Sequence, residues 1–163
     1  MNTTIAAIST AVSASGIGII RISGPEAMDV ISRIYRSKGG KKKIKEVPTH
    51  YGYIYDGEEI VDEVLVMVMR APKTFTGEDT VEIDCHGGVY AMNRVLETVL
   101  KNDAKIAGPG EFTKRAFLNG RLDLSQAEAV MDVIQAKNEY ALKSSMSQLK
   151  GSVQKPSRRF EAT

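Results

Sequence analysis

A chain of 163 residues with 42% hydrophobic and 26% charged side chains suits one soluble domain with at most an appendage, long enough to bury a sizeable core. A formal charge of +2 is too small to mark a nucleic-acid-binding protein by itself, and a single cysteine excludes an internal disulfide and fits a reducing cytosol. No apolar run approaches the ~20 residues of a membrane span, and MNTTIAAIST lacks the basic segment of a signal peptide, so the expected location is cytoplasmic.

In chain order, Thr4 to Ser9 and Gly16 to Ser23 predict two strands joined by a small polar turn. The glycines and isoleucines of GIGIIRIS suit only a buried or tightly paired strand. Ser23-Gly24-Pro25-Glu26 predicts a helix start with Ser23 as its cap. Met28, Ile31, Ile34 and Tyr35 form the helix's apolar stripe, closed by Gly39-Gly40. From Arg33 to Lys45 seven cations occur without an acidic residue; the pattern fits either a solvated loop or a nucleic-acid-binding patch.

Tyr51 to Tyr55 and Ile60 to Met69 predict a hairpin turning at Asp56-Gly57. Ala71-Pro72 ends it, and the polar loop FTGED leads to a strand over Thr80 to Cys85. Gly87-Gly88 opens a helix marked by Val89, Met92, Leu96 and Val99, and Lys105 to Ala107 suits a short last strand. Glu111 begins a short helix that Asn119-Gly120 stops, since glycine accepts the left-handed conformation at a helix end. Ser125 and Glu128 match a capping box heading a long helix from Gln126 past Leu149, which Pro156 ends. The order of elements predicts an α+β fold around a mostly antiparallel sheet.

Three features stand out as candidate chemistry. Alternation in TVEIDCHGG sends Val81, Ile83 and Cys85 to one face and Thr80, Glu82, Asp84 and His86 to the other. That polar face is either solvated or one wall of a small-molecule pocket, with the N–H groups of the following helix end available to an oxygen-rich ligand. Arg21 shares a strand face with Ile17 and Ile19, so it either snorkels from an exposed strand end or lines a pocket. Arg121 is the third, a single cation held in a tight connector between two helix ends.

Other chemistries fail on geometry. Cys85 and His86 are strand neighbours whose side chains diverge, so they make no nucleophilic pair and Cys85 belongs to the core. Glu82, Asp84 and His86, spaced by two along a strand, lie too far apart to converge on a metal unaided, and His50 is the only other histidine. The phosphate-loop signature is absent; Gly39-Gly40-Lys41 comes closest, with Tyr35 where the first glycine belongs and Lys42 where a hydroxyl belongs.

GIGIIRISG, FTGEDTVEIDCHGG and PGEFTKRAFLNGRLDLSQAEAV, in this order and spacing, closely resemble the N-terminal part of the tRNA modification GTPase family MnmE, also called TrmE. The resemblance covers residues 1 to about 151. It implies a dimerisation domain similar to the folate-binding domain of glycine-cleavage aminomethyltransferases, over residues 1–120. The start of a helical domain would follow over 121–155, and a disordered tail over 156–163. It implies a reduced folate, 5-formyl- or 5,10-methylene-tetrahydrofolate, as one-carbon donor, contacted by Arg21, Glu82 and Arg121. The last position is lysine in some relatives.

The family acts with a flavoprotein partner on C5 of the wobble uridine in certain tRNAs, so the resemblance implies a flavoprotein partner and, indirectly, tRNA. Its GTP, Mg and K sites depend on a phosphate loop and switch regions that this sequence lacks, as it lacks the C-terminal cysteine motif. After Gly151, SVQKPSRRFEAT departs from the continuing helix, so the chain reads as a fragment or truncated product. It is not expected to hydrolyse GTP alone.

Overall fold

The computed structural model describes residues 3–10, 17–39, 44 and 47–136. The chain divides into two compact units, Met1–Leu122 and Asp123–Thr163, each described by itself.

Seven strands and three helices build the first unit: β1 (Ile5–Ile8), β2 (Gly18–Ser23), α1 (Ala27–Ile34), β3 (Tyr35–Ser37), β4 (Thr49–Asp56), β5 (Glu59–Met69), β6 (Thr80–Cys85), α2 (Gly88–Lys101), β7 (Lys105–Ile106) and α3 (Glu111–Leu118). They form one sheet in the order β3-β4-β5-β6-β2-β1-β7. Every pairing is antiparallel except that of β7 with β1. This is the α+β architecture expected from the order of elements.

Alternation sorts the sheet into two unlike faces. Ala6, Ile20, Ile22, Ile54, Val64, Val66, Val81, Ile83 and Cys85 point to one side, where they pack with Val30, Ile31 and Ile34 of α1 and Met92, Val95 and Val99 of α2. This is the core, and Cys85 lies in it at 1% exposure. The other parity carries Ile19, Arg21, Leu65, Met67, Glu82 and Asp84, all only partly buried.

Several element ends differ from the sequence-based expectation. Ser23 is no helix cap but the last residue of β2; the α1 entrance is capped from outside, the Glu26 N–H donating to Thr4 Oγ1 at 2.8 Å. Tyr35 continues the apolar stripe yet starts β3, because its ring is buried in the core and stacks edge-on against the His50 ring, 5.8 Å away. The hairpin turns at Gly57-Glu58, one residue later than expected, since Asp56 still pairs with Glu59.

Residues 124–136 of the second unit form a helix, α4. Its capping box is real but shifted by two residues: the Gln126 N–H donates to Asp123 Oδ1 at 2.7 Å, and the Asp123 N–H donates back to Gln126 Oε1 at 2.9 Å. Aspartate with glutamine three positions on serves the same reciprocal bonding as serine with glutamate. Ala127 is buried and Val130 and Ile134 half-buried. The remaining stripe, Ala141, Leu142 and Leu149, with Pro156 and the tail, lies outside the described residues.

Candidate functional site

Register, rather than either strand alone, makes the site. β2 and β6 pair so that Arg21 lies directly opposite Glu82, both on the face away from α1 and α2. The Arg21 Nε donates to Glu82 Oε2 at 2.9 Å, with side chains 26% and 16% exposed. Among the described residues, Glu82 Oε1 and the two Arg21 terminal nitrogens have no protein partner. The guanidinium carbon lies 5.7 Å from the Phe75 ring centre and 5.4 Å from that of Phe112, within reach of both π-faces. The pair thus sits in an aromatic surround and still presents acceptor and donors outward.

Phe75 and Phe112 arrive from the 71–79 loop and from α3, and buried polar contacts hold both segments. Ser23 donates to Glu78 Oε1 at 2.9 Å and bonds Thr76 at 2.8 Å, and Thr74 donates to the Glu78 carbonyl at 2.7 Å. Arg115 of α3, 5% exposed, donates to both Glu78 carboxylate oxygens, at 3.1 and 3.3 Å, to Glu111 and to the Thr3 carbonyl. One guanidinium therefore ties α3 to the loop and to the chain entering β1. Sequence reasoning missed Phe75, Glu78, Phe112 and Arg115; a signal existed, since FTGED and EFTKR both carry a phenyl beside charged residues.

Arg121 reaches the same loop from the other side. At the end of α3 the Gly120 N–H donates to the Phe117 carbonyl and the Arg121 N–H to the Ala116 carbonyl, at 3.0 and 2.8 Å, while Gly120 takes φ 75. This is the Schellman arrangement of the expected glycine stop. Asn119 Nδ2 donates to the Thr76 carbonyl at 2.9 Å. The Arg121 side-chain stem passes over Gly77, where an added Cβ would lie 3.4 Å from its Cγ. Of the three expected contact residues, Arg21 and Glu82 touch each other; Arg121 touches neither but borders the loop that carries Phe75.

Along β6, Asp84 follows Glu82 on the same face, and its Oδ1 is buried without a hydrogen-bond partner. Burial pushes its carboxyl above the ordinary range, Glu82 adds to the rise, and His86 opposes it. At the entrance to α2, Asp62 Oδ2 accepts from the His86 and Gly87 N–H groups, at 2.8 and 3.2 Å, so these two are not available to a ligand. His86 Nδ1 is held by the Glu63 carbonyl at 3.0 Å. Burial pushes the Cys85 thiol up to about 12, which removes it as a nucleophile at neutral pH. No cluster among the described residues could hold a metal ion.

Three cations of the basic run have acidic partners. Arg33 pairs with Asp103 at 3.1 Å, Arg36 with Glu58 at 3.6 Å and Lys38 with Glu63 at 2.7 Å. Lys41, Lys42, Lys43 and Lys45 lie outside the described residues. No helix among the described residues is long and apolar enough to cross a membrane.

Residues 4–121 match the family described as GTP-binding protein TrmE N-terminus. Three proteins called tRNA modification GTPase MnmE are close relatives. That of Lachnoclostridium phytofermentans is 61% identical over 92% of this chain and 33% of its own length. That of Geobacillus thermodenitrificans is 54% identical over 98% and 36%, and that of Carboxydothermus hydrogenoformans 56% identical over 93% and 34%. The chain spans about a third of the length of these relatives. A match over most of the first unit, together with identities above half across nearly the whole chain, places it: the chain belongs to the tRNA modification GTPase MnmE family and corresponds to its N-terminal region.

Proposed function

We propose that this domain binds a reduced folate, 5-formyl- or 5,10-methylene-tetrahydrofolate, and pairs with a second copy as the N-terminal module of a cytoplasmic GTPase. With a flavoprotein partner, the whole enzyme modifies C5 of the wobble uridine in tRNA. On this reading nucleotide turnover, with Mg and K, belongs to the part of the whole enzyme that this chain does not span.

The observation that carries the folate reading is the half-buried Arg21–Glu82 pair flanked by Phe75 and Phe112. A pterin offers two adjacent donors, its ring N3–H and its exocyclic amino group, which one carboxylate can accept in parallel. Glu82 has the acceptor capacity, and Arg21 fixes its direction while keeping donors for a carbonyl or formyl oxygen. The two phenyl rings suit the flat faces of a bicyclic ring. Arg121, beside its loop, suits a carboxylate or carbonyl oxygen of the same ligand. The folate supplies the one-carbon unit; the residues of this chain bind and orient it.

A nucleic-acid-binding module using the basic run is the competing reading, and the acidic partners of Arg33, Arg36 and Lys38 weigh against it. It requires tRNA affinity that falls steeply with salt, whereas folate binding depends on salt modestly. Calorimetric titration with 5-formyltetrahydrofolate tests the choice. Glu82→Gln keeps size but opposes two donors with an amide, so it weakens binding by about ten- to a hundredfold, or roughly 1.5–3 kcal/mol. A folded Glu82→Gln protein binding within about twofold of wild type removes Glu82, and the folate reading with it.

A further inference from the structure

We infer that the cleft between β7 and α3 is a second ligand site, one that binds a small oxyanion carried on a short apolar stem. The cleft has a volume of about 260 Å³ and is lined by Thr3, Ile5, Lys105, Ile106, Glu111, Lys114 and Arg115. That is just below the roughly 300–1,000 Å³ of drug-sized pockets, so it suits an acid of a few carbons rather than a nucleotide.

Its charges are unequally committed. Arg115 is neutralised by Glu78 and Glu111, and Glu111 also accepts from the Gly108 N–H at 2.9 Å. The side chains of Lys105 and Lys114 have no acidic partner and no hydrogen bond among the described residues, although both backbone N–H groups are used, in donating to the Thr4 and Gly110 carbonyls. Two ammonium groups with no internal work therefore share the rim of one cleft, from a strand and from a helix. Arg94 and Lys101 of the same unit are, by contrast, both paired with Asp56. The rest of the lining is mixed: Thr3 and the Arg115–Glu111 pair are polar, and the buried Ile5 and the 60% exposed Ile106 give it an apolar part. Ammonium groups attract an oxyanion without fixing its geometry, so carboxylate and phosphate both qualify, and the isoleucines favour a ligand with methylene groups.

Two sources share this chemistry: a free small acid, or the glutamyl tail of the folate proposed above. Ala7 lies opposite Arg21, and Ile5 is two residues further along β1 on the same face. By strand spacings Ile5 is then roughly 8 Å from Arg21, close enough for one extended ligand to span both. The lysine site does not depend on the folate reading; only the tail source does.

The test is an amide NMR titration of this chain with glutarate and with inorganic phosphate, for wild type and Lys105→Gln/Lys114→Gln. Glutarate should give saturable shifts at Thr3, Ile5, Ile106 and Lys114 at millimolar concentration, weakened about tenfold or more in the double variant. The variant should keep its circular dichroism, since neither ammonium holds a protein partner. Triglutamyl and monoglutamyl 5-formyltetrahydrofolate then separate the sources. A tail makes the longer form bind tighter in wild type but not in the variant; a free acid makes tail length irrelevant while glutarate still binds. Glutarate binding without any folate binding upholds the cleft and sinks the folate reading. Absence of saturable shifts from both anions to about 10 mM, or equal binding by the variant, overturns the site.

Discussion

Replacing Arg115 by methionine removes a side chain that joins α3, the 71–79 loop and the chain entering β1. Methionine keeps the unbranched bulk, so the loss is of charge and hydrogen bonds rather than volume. The Arg115 side chain is 6% exposed and that of its partner Glu78 16%, so the carboxylate left behind is largely buried. Breaking a buried pair by removing one partner costs about 3–5 kcal/mol, most of it the orphaned charge. Glu78 keeps the Ser23 hydroxyl as a donor, which puts the expected cost near the lower end, about 3 kcal/mol. At roughly 2–4 °C per kcal/mol, the melting temperature should fall by on the order of 10 °C. Urea denaturation gives the free energy directly. The second arm is Glu78→Gln/Arg115→Met, which removes the orphan; the double variant should be less destabilised than the sum of the singles by about 1–3 kcal/mol. A methionine variant within about 1 kcal/mol of wild type, or strict additivity, would refute the anchoring role.

Asp84→Asn tests the buried carboxyl next to Glu82. Because its folded-state value is raised by burial, the folded chain holds this proton more tightly than the unfolded chain does. The associated stability is present below the ordinary carboxylate range and is lost as pH rises through the raised value, so the variant should gain on wild type as pH rises out of the ordinary carboxylate range. Parallel urea curves with no pH-dependent difference count against a desolvated Asp84. Gly18→Ala drives a Cβ to 1.8 Å from the Met92 Sδ in the core and should cost about 1–3 kcal/mol, partly recovered by Met92→Ala. In folate titrations Arg21→Ala should be severe and Arg121→Lys mild; the reverse order would show both roles misassigned.

Much of the sheet was legible because its strands bury one parity each. β2, β5 and β6 alternate or run apolar in a way that no amphipathic helix does, and their expected limits lie within a few residues of those observed. β3 was not legible: three residues directly after a helix, it begins on Tyr35, whose burial makes it look like one more turn of the stripe. The helix caps were misplaced for a related reason. Ser23 and Ser125 are the right residue types, but the chain satisfies those helix ends with Thr4, just before β1, and with Asp123. Which of several competent side chains caps an end depends on backbone geometry that residue type does not encode.

The site divides the same way. Arg21 and Glu82 were visible one at a time, each as a charge on a strand face shared with unlike neighbours. Their contact was not, since it spans 61 positions and depends on the β2–β6 register. Phe75 and Phe112 look like ordinary core phenylalanines until Arg115 is seen to hold their segments together, and a buried arginine defies what its type suggests. Arg121 is the instructive case. Its position is fixed by its backbone N–H, which closes the α3 cap on the Ala116 carbonyl, and by glycine at the preceding residue. The side chain itself takes no part in that closure. Any long cation there is delivered to the same place beside Gly77, so lysine and arginine should interchange at little cost to the fold, and a difference between them can arise only from what the ligand asks of the donor geometry.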